Sequence, residues 1–123
     1  MIRDETDAAD IGLERLLTLE RRLLTEGVAA YEELLHRDAI IIVPGGSLDR
    51  TGCIAAIGDT PPWDRFDIAP LWYFRTADSE ALAYRFDGTR GDDNYRALLA
   101  SSYVSTPRGL LLVQHQQTPD PKE

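Results

Sequence analysis

Hydrophobic spacing changes once in a sustained way along this chain, and that change narrows the architectures open to it. Before Asp38 the apolar residues Leu13, Leu16, Leu17, Leu23 and Leu24 recur at three- and four-residue steps, which gathers them into one stripe of a helix over about Asp7 to Gly27. Asp7 and Asp10 suit the N-terminal end of that helix and Gly27 a stop. A second helical segment, Val28 to His36, places Tyr31, Leu34 and Leu35 on one face. After Asp38 the texture becomes that of strands. Ala39 to Val43 is followed by a Pro44-Gly45-Gly46-Ser47 turn, Phe66 to Arg75 is a strand bent at Pro70, and Ala81 to Phe86 alternates. Thr51 to Gly58 supplies one or two helical turns with Ile54 and Ile57 inward, broken by Pro61-Pro62. The polar, glycine-rich stretch from Asp87 to Asn94 reads as a turn or loop. Helices first and hairpin-linked strands afterwards predict an α+β chain with helices against one face of an antiparallel sheet.

A chain of 123 residues matches one domain over 1–123, at about 150 residues per domain, with 1–6 and 120–123 expected as flexible tails. The apolar fraction of 43% is enough for one packed core. No apolar run approaches the roughly 18 residues that span a bilayer, and the N-terminus lacks the basic flank and apolar segment of a signal peptide. A soluble, cytoplasmic protein with no membrane association is therefore expected. The net charge of −8, with Lys122 the single lysine and twelve arginines scattered among twenty-one acids, argues against a nucleic-acid partner. One cysteine, Cys53, excludes an intrachain disulfide and a thiolate zinc site. His36 and His115 are the only histidines and lie in no ligand motif, so neither a metal nor a cofactor is expected.

The closing segment from Tyr95 to Pro119 is two strand-like runs joined by Thr106-Pro107-Arg108-Gly109 and ending in Gln114-His115-Gln116-Gln117-Thr118. Pro107 fits the second position of a type I turn and Gly109 the left-handed residue after it. A three-residue loop then sets Thr106 opposite Leu110, Tyr103 opposite Val113 and Ser101 opposite His115. Alternation collects Tyr95, Leu99, Ser101, Tyr103, Leu111, Val113, His115 and Gln117 on one face, with Leu98, Ala100, Ser102, Val104, Leu112, Gln114 and Gln116 on the other. A two-residue loop would exchange the partner faces, so which face lines a cavity stays open here.

The N-terminal helix, Leu34-Leu35-His36-Arg37-Asp38-Ala39, Pro44-Gly45-Gly46, and Tyr-x-Ala-x-x-x-Ser-x-Tyr-Val ending in His-Gln-Gln-Thr-Pro resemble the DUF4440 group of the nuclear-transport-factor-2-like (NTF2-like, SnoaL-like) superfamily, over about Asp7 to Pro119. Leu110 departs from the pattern, since relatives often carry tryptophan there. The resemblance implies a cystatin-like cone, with N-terminal helices packed on a strongly curved antiparallel sheet and a cavity at its open end. It also implies a homodimer formed through the sheet. Superfamily members include ketosteroid isomerase, scytalone dehydratase, polyketide cyclases and limonene epoxide hydrolase alongside many proteins of no known activity.

Candidate chemistry centres on His115. A neutral imidazole near Ser101 and Tyr103 could act as a general acid or base or orient a ligand carbonyl; its ordinary alternative is a histidine bonded within a sheet. Asp38 is a candidate base if desolvated, against the plainer reading of a solvated turn aspartate. No Gly-x-Ser-x-Gly elbow supports Ser101 as a nucleophile. Cys53 reads as a small buried apolar residue. Trp63, Trp72, Tyr73 and Tyr84 read either as an aromatic pocket wall for a ring-shaped ligand or as core or dimer-interface residues, evenly for Trp63 and in favour of core for Trp72. The candidate pocket is Trp63, Tyr95, Ser101, Tyr103, His115 and Gln117, with His115, Asp38 and Tyr103 as catalytic candidates. The leading functional expectation is a small-molecule-binding module for a small, partly apolar ligand. A cofactor-independent isomerase, dehydratase or polyketide-cyclase-like enzyme acting on a carbonyl-bearing ring follows it, and a dimerisation domain with a filled cone is third.

Overall fold

The computed structural model describes residues 2–120, with side chains from Asp10 onward. The chain runs α1 (Ile2–Glu26), α2 (Val28–Leu34), β1 (Leu35–Val43), β2 (Gly46–Leu48), α3 (Arg50–Gly58), β3 (Arg65–Arg75), β4 (Ser79–Arg90), β5 (Asp93–Thr106) and β6 (Gly109–Pro119). Among these residues the strands form one six-stranded sheet in the order β2-β1-β6-β5-β4-β3. Gly27, at φ 67°, supplies the left-handed residue that separates α1 from α2. The side chain of Asp49 caps α3 by accepting from the amide of Gly52 at 2.8 Å.

Helices cover one face of this curved sheet, and the core lies between the two layers. From α1 it takes Leu16, Leu17 and Leu23; from the sheet it takes Ala39 and Ile41, Leu82, Tyr84 and Phe86, Ala97, Leu99 and Tyr103, and Leu112. Alternate residues of β4 and β5 are buried, as a half-covered sheet requires. On β4 the inward set includes Glu80, whose carboxylate accepts from Arg15 of α1 and from the Tyr73 hydroxyl of β3, the latter at 2.8 Å. That bridge ties α1 to the outer strands. Gly12 lets the helix approach, because a β-carbon there would stand 2.1 Å from the Tyr73 oxygen.

Several expectations require correction. The sheet is mixed: β1 pairs antiparallel with β2 but parallel with β6. Direction in hairpin-linked strands follows from the turns, whereas β1 meets a strand more than sixty residues away and its direction is set by where α2 releases the chain. That release comes early, so Leu35 and His36 belong to β1 rather than to a helix. The helix α1 begins at Ile2, placing Asp7 and Asp10 inside it rather than at its N-terminal end. Residues 2–6 are thus helical, and the amide of Asp120 donates to the carbonyl of Arg96 at 2.9 Å. The rest of the expected tails, Met1 and 121–123, lies outside the described residues.

Two hairpins also differ. The stretch from Asp87 to Asn94 is mostly ladder, with Thr89 opposite Asn94 and Arg90 opposite Asp93, and only Gly91 and Asp92 in the turn. Gly91, at φ 56°, permits the tight reversal, and backbone pairing tolerates the polar side chains, which pair across strands as Asn94 with Asp87. In the last hairpin Thr106 pairs with Gly109 rather than Leu110, and Tyr103 faces Leu112 rather than Val113. An irregularity beside Ser102 then absorbs one residue of β6, so that Ser101 still faces His115. The irregularity also brings Leu112 to the face of Tyr103, contrary to plain alternation.

Candidate functional site

A cavity of about 870 Å³ opens between the α1–α2 junction, the Thr60–Trp63 loop and the ends of β4, β5 and β6. Behind it lies an inner chamber of about 140 Å³ between α1, α3 and the sheet. The two share Leu23, Leu24, Tyr31, Ile57, Leu99 and Gln117 as walls. The inner walls are otherwise largely aliphatic, and the few polar groups that interrupt them are Glu20, Tyr31, Tyr84, His115 and Gln117.

Glu20 lies on the apolar stripe of α1, one helical turn after Leu16 and just before Leu23, so the packing that buries the leucines carries its carboxylate inward. It is 2% exposed. The Tyr84 hydroxyl donates to Oε1 and the Tyr103 hydroxyl to Oε2, each at 2.5 Å. Short O–H···O contacts of this kind mark charge-assisted bonds, and they supply what a carboxylate removed from water needs. Burial first, and then the neighbouring Glu20 charge and its hydrogen bond, push both phenols well above the ordinary tyrosine range. Tyr31 is shifted upward as well, by burial and then by Cys53 and Glu20, but its hydroxyl has no hydrogen-bond partner among the described residues.

His115 is 9% exposed and lines the inner chamber. Its Nδ1 lies 2.7 Å from Ser101 Oγ, across the β5–β6 ladder. Burial lowers its pKa and the nearby Glu20 partly offsets that, with the lowering dominant, so the ring is neutral at neutral pH. Burial likewise pushes the Cys53 thiol up to about 11, which removes it as a nucleophile.

The outer cavity has an aromatic wall. Trp63 packs against Phe86 with centroids 4.9 Å apart and stacks on Tyr95 at 6.1 Å. The Arg90 guanidinium covers Trp63 at 3.5 Å from the ring centroid and donates through Nε to the Pro61 carbonyl at 2.8 Å. Gly88 makes this possible, since a β-carbon there would lie 2.6 Å from Phe86 and 2.9 Å from Trp63. The Tyr95 hydroxyl donates to Gln117 Oε1 at 3.1 Å, leaving the Gln117 amide nitrogen as a further donor.

The fold therefore brings Trp63, Tyr95, His115 and Gln117 onto the walls, with Ser101 directly behind His115 and Tyr103 behind Glu20. Asp38 lies elsewhere. Its side chain is 75% exposed beside Arg37, it lines neither chamber, and the desolvation required of a candidate base is missing. Trp72, read from sequence as core, is 52% exposed on the uncovered face of the sheet. Sequence reasoning passes over Glu20 and Tyr31; the one local signal for Glu20 is a carboxylate at a helical spacing otherwise occupied by leucine. No group of three or more His, Cys, Asp or Glu side chains suited to a metal ion occurs among the described residues. Nor is any helix among them long and apolar enough to cross a membrane.

No protein-family model matches the chain, and no curated protein matches it. Solved structures do. A "putative ketosteroid isomerase" from Parabacteroides distasonis aligns over 88% of each chain at 19% identity, with a TM-score of 0.75. An NTF2-like protein of unknown function from Pseudomonas aeruginosa aligns over 88% of this chain and 98% of its own, at 18% identity and a TM-score of 0.73. An NTF2-like protein from Cytophaga hutchinsonii follows at 15% identity, 87% and 97% coverage and a TM-score of 0.70. Likeness at these identities speaks to architecture alone. Helices on one face of a curved mixed sheet, enclosing a cavity at its open end, give this chain the NTF2-like fold.

Proposed function

We propose that this protein is a homodimeric small-molecule-binding module of the DUF4440 (SnoaL-like) group, and that its cavity holds a small, partly apolar ligand. The observation that carries this reading is the open, two-part cavity. Its volume falls within the range of about 300–1,000 Å³ common to ligand pockets, and its aliphatic inner walls carry a few fixed polar groups. A filled cone would leave no such space. The group assignment is supported by Tyr95-x-Ala97-x-x-x-Ser101-x-Tyr103-Val104 and the His115-Gln116-Gln117-Thr118-Pro119 ending. Homodimerisation is supported by the uncovered sheet face, where Trp72 and Phe74 stack at 6.0 Å while 52% and 54% exposed, with Leu98 and Ile40 also exposed.

A thermal-shift screen of small ring compounds tests binding. A ligand held at 100 times its Kd should add about 2.7 kcal/mol of stability. Ile57→Trp, at the wall common to both chambers, should abolish that shift; a shift that survives the substitution places the ligand elsewhere and refutes the cavity reading. Light scattering tests assembly: two chain masses are expected, with one chain mass for Trp72→Arg, and a wild-type monomer refutes the dimer.

A second reading draws on Glu20. A buried carboxylate beside a neutral imidazole is the kind of pair that a cofactor-independent isomerase, dehydratase or polyketide-cyclase-like enzyme uses on a carbonyl-bearing ring. Both Glu20 oxygens already accept tyrosine hydroxyls, which favours binding over proton abstraction. On a turned-over ring ketone, His115→Ala should lower the rate roughly 10²-fold or more with the fold retained; an unchanged rate removes His115 from the chemistry.

A further inference from the structure

The inner chamber carries more chemical information than its volume. At about 140 Å³ it approximates the roughly 150 Å³ of a dry, aliphatic cavity known to admit benzene, so it suits one ring rather than a chain or a fused system. What distinguishes it is the direction of the hydrogen bonds around it. Ser101 Oγ is 1% exposed, and His115 Nδ1 is its only hydrogen-bond partner among the described residues. If Nδ1 carried the ring proton and donated to Ser101, the serine proton would be buried with no acceptor, at the full desolvation cost of an unmade bond. With Ser101 donating to Nδ1 that cost disappears, and the neutral ring must then carry its proton on Nε2.

Nε2 has no protein partner among the described residues, yet it is not sealed in, since no buried side-chain nitrogen or oxygen lacks a partner there. It belongs to a ring that lines the inner chamber. The Tyr31 hydroxyl, also without a partner, belongs to a residue lining the same chamber. Gln117 presents its amide nitrogen because its oxygen is taken by Tyr95. The one acceptor group at the floor, Glu20, already receives a tyrosine hydroxyl on each oxygen. The chamber thus offers donors to its occupant. An anionic occupant is disfavoured by the Glu20 carboxylate, and a cationic one would meet N–H and O–H groups pointing at it.

Building on the binding reading above, the geometry points to a recognition subsite for an uncharged carbonyl on a single apolar ring, in which His115, fixed by Ser101 as the Nε2–H tautomer, donates to the carbonyl oxygen. Ser101 is then a positioning residue, and Tyr31 is a second donor available to the same ring.

The test uses the full chain labelled with nitrogen-15 and two probes of similar shape, cyclohexanone and methylenecyclohexane. Long-range proton–nitrogen spectra of the free protein should show His115 with an unprotonated Nδ1 and a protonated Nε2; the opposite tautomer overturns the inference. Cyclohexanone should bind about three- to tenfold more tightly than methylenecyclohexane, as one neutral hydrogen bond provides, and should shift His115 Nε2–H. Ser101→Ala should erase that preference while keeping methylenecyclohexane binding. Equal affinities for the two probes, or a preference for cyclohexylammonium, overturn the carbonyl inference and leave the pocket reading intact. Failure of both ring probes to perturb Leu99, Leu112 or His115 at saturation overturns the two readings together.

Discussion

Removing one hydroxyl from the floor of the cavity isolates the interaction on which the buried carboxylate depends. Tyr103→Phe deletes the donor to Glu20 Oε2 and nothing else, because the ring stays in its place in the core. No cavity forms, so the whole effect is electrostatic. Glu20 is 2% exposed and water cannot replace the lost bond. A hydrogen bond to a charged group contributes about 1.5–3 kcal/mol, and an equal loss is expected for Tyr84→Phe, which removes the donor to Oε1. The double variant should lose at least the two single losses combined, about 3–6 kcal/mol, since it leaves a buried carboxylate with neither donor. Urea unfolding reads this directly. With a slope of about 1–3 kcal/mol/M, a loss near 2 kcal/mol moves the midpoint down by roughly 1 M. The slope itself should hold, because the surface exposed on unfolding is unchanged. A Tyr103→Phe midpoint within about 0.2 M of the parent would refute the claim that Glu20 is a buried anion held by its tyrosines.

Three other outcomes are expected. Because burial lowers the folded pKa of His115 below its ordinary 6.5, the unfolded chain binds the extra proton, so this group's contribution to stability falls as pH drops through and below 6.5. The slope should reach at most about 1.4 kcal/mol per pH unit and should flatten in His115→Gln when unfolding midpoints are followed against pH. At the alkaline end Tyr84 and Tyr103 are raised above 10.0, so they stabilise the fold fully below that pH and lose the contribution as pH rises further; phenolate absorbance should show them ionising only with unfolding, and a reversible native titration near 10 would contradict their burial. Gly88→Ala should cost about 1–3 kcal/mol and displace Trp63, because its new methyl overlaps Phe86 and Trp63; unchanged tryptophan fluorescence and stability would show that the aromatic wall is not packed as described.

Residues whose partners are local were readable from the chain. Helical spacing of leucines in α1, alternation in β4, the Pro70 irregularity in β3 and the Pro107–Gly109 reversal all depend on neighbours a few positions away. So does the opposition of Ser101 and His115, although its register survives through a compensating irregularity that alternation does not anticipate. The polar ending of β6 left a cavity wall and a strand leaving the core both open from the residues alone; the structure places His115 and Gln117 at the inner chamber.

Tertiary structure decided the rest. The parallel pairing of β1 with β6 joins segments that no hairpin connects, and no short-range pattern records it. Glu20 reads locally as one more charge on a charged helix; only the approach of Tyr84 and Tyr103 from β4 and β5, 64 and 83 residues away, turns it into the floor of a site. Asp38 takes the plainer, solvated reading, whereas Trp72, expected in the core, is exposed, because a local pattern tells which residues share a face but not which face another layer will cover. Short-range spacing determined the elements and their amphipathic faces, since those follow from backbone geometry. The cavity, its buried carboxylate and the proton on His115 came from packing, because burial and hydrogen-bond direction are properties of groups that meet only once the chain has folded.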